Sequence, residues 1–326
     1  MKEVNRENSQ KPRNSNLLFM IGLVFAGAIS GGLIVYSIGL RNSQFPKQKA
    51  DAYSAVSSFE EKVIPSEGVL LPIKWGDLGK RLVESGVIDR KKFADIYKSR
   101  GGLSKEMEKF LNNFGDNEIR MTSDNAGYLL NLFWAFGMAN KNQILEQGPM
   151  SDPDYGGAGE FASTGGWTIS SGNSMDHFSK HSFIALDSEK QALVERVSKN
   201  IYRPCCGNST YFPDCNHGMA MLGLLELMAE NGVSENEMYQ VALKVNSYWF
   251  PDTYLTIAKY LQQKNIKWER VNPKDILGAD FSSAKGYQKI SSQVKEPASS
   301  GSSDGGCGVG DEPAAAKPAK QSGCGV

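Results

Sequence analysis

The run Cys205–Gly232, CCGNSTYFPDCNHGMAMLGLLELMAENG, places a cluster of soft ligands directly against an apolar stretch that reads as a buried helix from Gly218 to Glu230. Cys205, Cys206, Cys215 and His217 fall within thirteen residues, and thiolate and imidazole are the groups that bind soft or borderline metal ions. The whole chain has five cysteines and three histidines, so most of its soft-ligand capacity sits here.

A thiol ligates only when deprotonated, and a helix N-terminus favours that state. Asp214 or Asn216 is expected to cap the helix, which sets Cys215 and His217 at its positive end. Pro204 fixes the backbone just before Cys205 and Cys206. Vicinal cysteines seldom both point the same way, so one is expected to ligate while the other packs or pairs. The spacing CC-x8-C-x-H has neither the paired CxxC knuckles nor the H-x3-5-H half of a zinc finger, and it lacks the CxxCH of haem attachment. His177 and His181, four apart in MDHFSKH, make a weaker second pair of ligands on one helical face. Met175, Met219 and Met221 lie near these positions and offer thioethers suited to Cu(I), although core filling is the commoner use of methionine. The structural alternative is a disulfide from Cys205 or Cys206 to Cys215, closing a loop of about ten residues and stabilising by roughly 2–3 kcal/mol. Five cysteines leave one over, which points to exchange, metal binding or intermolecular pairing.

Toward the N-terminus the sequence reads as helix after helix. Leu78, Leu82, Val83 and Val87 recur at helical spacing in WGDLGKRLVESGVI, and Asp89 caps a second helix through Phe93, Ile96 and Tyr97. Ser104 starts another through Met107, Phe110 and Leu111. Ser123 or Asp124 precedes YLLNLFWAFGMAN, which reads as a buried helix. Asp187 or Ser188 leads into a helix with Leu193, Val194 and Val197 on one face. Ser234 and Glu237 form a capping box, and Pro251 breaks or restarts the chain before TYLTIAKYLQQ. No alternating run is long enough to predict a sheet, so the fold class is mostly α, an irregular helical bundle. The Gly- and Ser-rich segment between Gly148 and His177 reads as a long connection, functional or mobile, unless its glycines merely permit tight turns.

Asn16–Leu40 carries no charged residue over 25 positions, enough at about 1.5 Å per residue to cross a hydrocarbon core of roughly 30 Å. It is longer than the apolar core of a cleaved signal peptide, and cleavage near Ala26 or Ala28 is the alternative. Four basic residues precede it and Arg41, Lys47 and Lys49 follow, which places the N-terminus in the cytoplasm and the domain outside. Gly27 and Gly31 form a GxxxG that lets two membrane helices pack closely, as in a homodimer. The expected organisation is a cytoplasmic tail over 1–15, a transmembrane anchor over 16–40, a linker over 41–65, a helical domain over 66–290 and a tail over 291–326. The tail is rich in Gly, Ser, Ala and Pro and cannot bury enough surface to order itself. It nonetheless repeats GCGV, placing Cys307 and Cys324 in open backbone accessible to a metal ion or a thiol partner.

Lys plus Arg equals Asp plus Glu at 36 each, with no basic run in the middle of the chain, so no nucleic-acid partner is expected. There is no P-loop, GxSxG or HExxH to name an enzyme class. The segments YRPCCGNSTYFPDCNHGMAMLGLLELM and LPIKWGDLGKRLVESGVID, with the GCGV ending, resemble uncharacterised bacterial single-pass membrane-anchored proteins over most of the chain after the anchor. The resemblance implies no activity. Three functions follow from the residues: a membrane-anchored extracytoplasmic protein binding copper or zinc, a thiol–disulfide exchange protein, and an interaction module braced by a disulfide.

Overall fold

A computed structural model describes residues 59–295, so the expectations for the anchor over 16–40, for Gly27 and Gly31, and for the tail cysteines Cys307 and Cys324 lie outside the described residues. Among the described residues no helix is long and apolar enough to cross a membrane. Residues 59–63, at the end of the expected linker, are already helical, and Val63 is buried. The Tyr248 hydroxyl donates to the Pro65 carbonyl at 2.6 Å and fastens this segment to the body.

The chain then runs through β1 (Val69–Leu71), α1 (Leu78–Glu84), α2 (Arg90–Asp95), α3 (Lys105–Phe110), β2 (Ile119–Met121), α4 (Ala126–Ala139) and α5 (Gln143–Gln147). After a long connection come α6 (Ser188–Ser198), α7 (Asn216–Glu230), α8 (Glu235–Trp249), α9 (Pro251–Gln263), α10 (Pro273–Leu277), α11 (Ala279–Ser282) and α12 (Ala284–Ser291). The described residues are mostly helical, as the periodicity predicts. They also hold a small sheet that it does not predict: β1 and β2 pair antiparallel with Leu70 opposite Arg120. Each strand has three residues in the order buried, exposed, buried, too short a run for alternation to stand out.

Local signals set most helix starts. The side chains of Asp89, Ser104, Asp187 and Ser234 accept from the backbone N–H three residues on, opening α2, α3, α6 and α8. Pro251 restarts the chain as the first residue of α9, where its missing N–H costs nothing. Helix α4 begins slightly later than Ser123 or Asp124 suggest. Asn125 flanks it, with its side chain accepting from Thr122 N and donating to the Arg120 carbonyl.

The centre of the body is the crossing of α4 with α7. Both are apolar on nearly every face, and Leu129, Leu132, Phe133, Trp134 and Phe136 of α4 and Leu222, Leu224 and Leu225 of α7 are fully buried. Each such side chain stabilises by roughly 1.5–3 kcal/mol on leaving water. The two backbones approach at glycine: a Cβ on Gly137 would lie 2.4 Å from the Met219 carbonyl, and one on Gly223 would lie 2.5 Å from that of Phe133. An aromatic layer of Trp75, Phe93, Phe110 and Tyr128 packs the segment just before α1, together with α2 and α3, onto α4.

The Gly148–His177 connection is built of short 3-10 turns pinned to this core. Trp167 is buried and donates to the Val87 carbonyl at 2.8 Å, and Trp134 donates to the Ser163 carbonyl at 2.7 Å. Its Ser163 N–H in turn donates to the Asp214 carbonyl at 3.2 Å, so the connection braces the segment that carries the cysteines.

Candidate metal centre

Between α6 and α7 the chain makes a tight return. Tyr202 bridges Ser209 in antiparallel fashion, and Thr210 N–H donates to the Ile201 carbonyl at 2.8 Å, so residues 203–208 form a closed turn. Arg203, Cys205 and Cys206 project from that turn, and Asp214 and Cys215 return beside them. The N-cap of α7 is Cys215 itself, not Asp214 or Asn216: its backbone is extended, and its Sγ accepts from the Gly218 N–H at 3.5 Å. Asp214 is unavailable for capping because its carboxylate is turned to the Arg203 guanidinium and to Asn208 Nδ2. Asn216 is already the first helical residue.

The structure brings the expected ligands together as two overlapping triads, not as one nest of four. Cys205, Cys215 and His217 offer ligand atoms all within 4.8 Å of one another, and so do Cys206, Asp214 and Cys215. Cys215 is common to both. Of the vicinal pair, Cys205 is exposed and Cys206 buried, and each belongs to one of the triads. The alternative, a disulfide to Cys215, is not formed in this structure: Cys205 Sγ and Cys215 Sγ are 3.5 Å apart, well beyond the ~2.05 Å of an S–S bond. Zinc–sulfur bonds of about 2.3 Å at a tetrahedral centre set two sulfurs roughly 3.8 Å apart, close to that separation.

Arg203 supplies the charge that this cluster needs. It is 2 % exposed, and its Nε donates to Cys215 Sγ at 3.0 Å. Its Nη1 donates to the Asn208 carbonyl, its Nη2 donates to the Phe212 carbonyl, and it is paired with the Asp214 carboxylate. A Cβ on residue 218 would lie 2.5 Å from the guanidinium carbon, so Gly218 opens the room for this side chain. Hydrogen bonds from Cys205 and Cys206, with the Arg203 charge and His217 adding to them, outweigh burial and hold the Cys215 thiol well below its usual range. Cys205 pulls the Cys206 thiol down, but Cys215 and burial push it up to about 12. Burial raises Asp214 even against the pull of Arg203. Of these two thiols Cys215 is therefore the more readily ionised, with the Arg203 Nε–H and the Gly218 N–H both directed at its sulfur.

His217 completes the first triad. Its ring is 8 % exposed and packs against Phe250 at 4.4 Å between centroids and edge-on to Trp249 at 5.9 Å. Among the described residues its Nδ1 is buried without a hydrogen-bond partner, the kind of orphan that water or a metal ion satisfies. A partly exposed sulfur, a buried sulfur that accepts from Arg203, and an imidazole fit a borderline or soft metal ion.

The remaining expected ligands lie elsewhere or serve other ends. His177 and His181 do not share a helix; His177 ends a 3-10 turn at Ser174–Asp176, and His181 bridges Asn140. Their rings still stack at 5.3 Å, with His177 Nδ1 3.0 Å from His181 Nε2. His177 Nε2 donates to the Ser171 carbonyl, which leaves Nδ1 as acceptor. Burial, and then the neighbouring His177, lower His181. Neither belongs to a group of three or more ligating residues among those described. Met219 and Met221 are buried in the apolar core, and Met175 lies against Gly159. Sequence reasoning missed Arg203, whose place two residues before Cys205 is the kind of basic neighbour that activates a thiol. It also saw Asp214 only as a cap.

No family model, no curated protein and no solved structure matches the chain.

Proposed function

We propose that the chain is a membrane-anchored extracytoplasmic metal-binding protein that holds zinc or copper through Cys205, Cys215 and His217, with Cys206 and Asp214 lining the adjoining position. The observation that carries this reading is the convergence of two sulfurs and a ring nitrogen within 4.8 Å around Cys215, while His217 Nδ1 is buried without a hydrogen-bond partner among the described residues. The shape of the group speaks for a three- or four-coordinate ion. A carboxylate beside the thiolates suits zinc better than Cu(I).

The rest of the reading is supported by the sequence alone. The uncharged run over 16–40 holds the protein in the bilayer with its N-terminus inside, Gly27 and Gly31 pair two anchors, and the GCGV thiols Cys307 and Cys324 capture or deliver the ion.

Elemental analysis of the full chain, purified in detergent under reducing conditions, tests the metal site. About one metal ion per chain is expected from the single ligand set of a structural or transfer site. The ion should be lost in Cys215→Ala and in His217→Ala. A metal-free wild-type chain after incubation with zinc or Cu(I), or a chain that keeps its metal in both variants, refutes the proposal.

A further inference from the structure

We infer that Cys205 and Cys215 also form a dithiol–disulfide couple, which reacts with small-molecule disulfides and releases the bound ion as it closes. The release half of this inference rests on the metal-binding reading above. Three features of the geometry point to it.

First, the two sulfurs face each other at 3.5 Å, so an S–S bond needs them to approach by only about 1.5 Å. Second, the pair is asymmetric: Cys205 is exposed and Cys215 is 7 % exposed, so a reagent from solvent meets Cys205 first. Third, the turn that carries Cys205 is already closed by the Tyr202–Ser209 bridge and by the Thr210 N–H bond to the Ile201 carbonyl, so joining residues 205 and 215 leaves little further chain to order. Cys206 is placed differently. It is buried, with its sulfur 3.9 Å from both the Asn208 carbonyl and Asp214 Oδ1.

The reaction balances with a disulfide R–S–S–R as oxidant. Two sulfurs that hold an ion do so as thiolates, so in the zinc-loaded chain the Cys205 thiolate attacks one sulfur of the reagent, the reagent's S–S bond breaks, and one R–S⁻ leaves; in the metal-free chain the Cys205 thiol proton passes to that R–S⁻. The Cys215 sulfur then attacks the Cys205 sulfur of the mixed disulfide, the protein S–S bond forms, and the second R–S⁻ leaves. Two electrons pass from the protein to the reagent. A divalent ion held by the two sulfurs departs with its charge matched by the two thiolates released.

The test uses the full chain in detergent with Cys307→Ser and Cys324→Ser, so that the tail thiols take no part. It is loaded with zinc alone and treated with 2-hydroxyethyl disulfide. Peptide mapping is expected to find a Cys205–Cys215 bond, a colorimetric chelator to find one zinc freed per bond formed, and dithiothreitol to restore zinc binding. In the metal-free chain, Cys205→Ala is expected to slow release of the reagent's thiol by about tenfold or more, because Cys215 is shielded. Zinc retained while the bond forms overturns the release step and leaves the metal site standing. A persistent adduct on Cys205, or a bond from Cys206 to Cys215, overturns the couple. A reduced chain that binds no zinc removes both the metal site and the release, while the peptide map still reads the couple.

Discussion

The histidine pair and the cysteine cluster are both groups of metal-ligating side chains with buried members, yet they differ in what is left to bond. His177 and His181 satisfy each other, and His177 closes on the Ser171 carbonyl. In the cluster, His217 Nδ1 has no hydrogen-bond partner among the described residues, and the Arg203 guanidinium favours charge on the buried Cys215 sulfur. Ligand type alone therefore does not make a site. An unsatisfied group next to a stabilised charge does, because both are costly to bury unless something binds there.

The sharpest way to break this comparison is to remove the cation that makes a buried thiolate tolerable. Arg203→Met leaves the Asp214 carboxylate and Cys215 without their buried counter-charge and is expected to cost about 3–5 kcal/mol in urea unfolding of the metal-free chain. A loss below about 1 kcal/mol, the range of an exposed pair, shows that the guanidinium does not hold the cluster.

Gly218→Ala asks the same question more gently. The added methyl would meet the guanidinium, and overpacking of this kind is expected to cost about 1–3 kcal/mol. An unchanged midpoint would show that Arg203 has space to retreat.

Glu226, farther along α7, sharpens the comparison as a buried acid with no counter-charge among its hydrogen-bond partners. Burial pushes its carboxyl up to about 8, although Asn140 donates to Oε2 at 2.5 Å. Among the described residues its Oε1 has no partner at hydrogen-bond geometry, and the nearby Asn142 side chain, like Asn140, only partly offsets burial. The folded chain thus keeps a proton that the unfolded chain loses near 4.5, so this group's contribution is fully present below about 4.5 and is lost as pH rises to about 8. Glu226→Gln is expected to flatten the decline in unfolding free energy over that window. An identical slope in wild type and variant contradicts a neutral Glu226.

The smallest effect is expected at the saturated pair. His181→Gln should leave the zinc content of the purified chain unchanged, and a clear fall in zinc would place the histidines in the metal site.

Much of this was legible in the residues and some was not. Capping side chains at Asp89, Ser104, Asp187 and Ser234 act within three residues of their own backbone, so local sequence reveals them. The apolar α4 and α7 announce burial by composition. The close approach of Gly137 to Gly223 depends on two helices far apart in the chain, and no local pattern encodes it. The same holds for β1 and β2, whose pairing joins Leu70 to Arg120. At the site, the ligand types were visible, but their division into two triads depends on which way the turn after Pro204 directs each sulfur. Cys215 as a cap was hidden because Asp214 and Asn216, the better capping residues on either side, drew the assignment. Asp214 was withdrawn from that role by Arg203, a contact across eleven residues.

The central claim is that Cys205, Cys215 and His217 hold one ion. X-ray absorption at the zinc edge of the zinc-loaded full chain tests it most directly. Two sulfur neighbours at about 2.3 Å and an imidazole nitrogen at about 2.0–2.1 Å are expected, with one sulfur lost in Cys205→Ala. A first shell of nitrogen and oxygen alone, or one unchanged by that substitution, would contradict it.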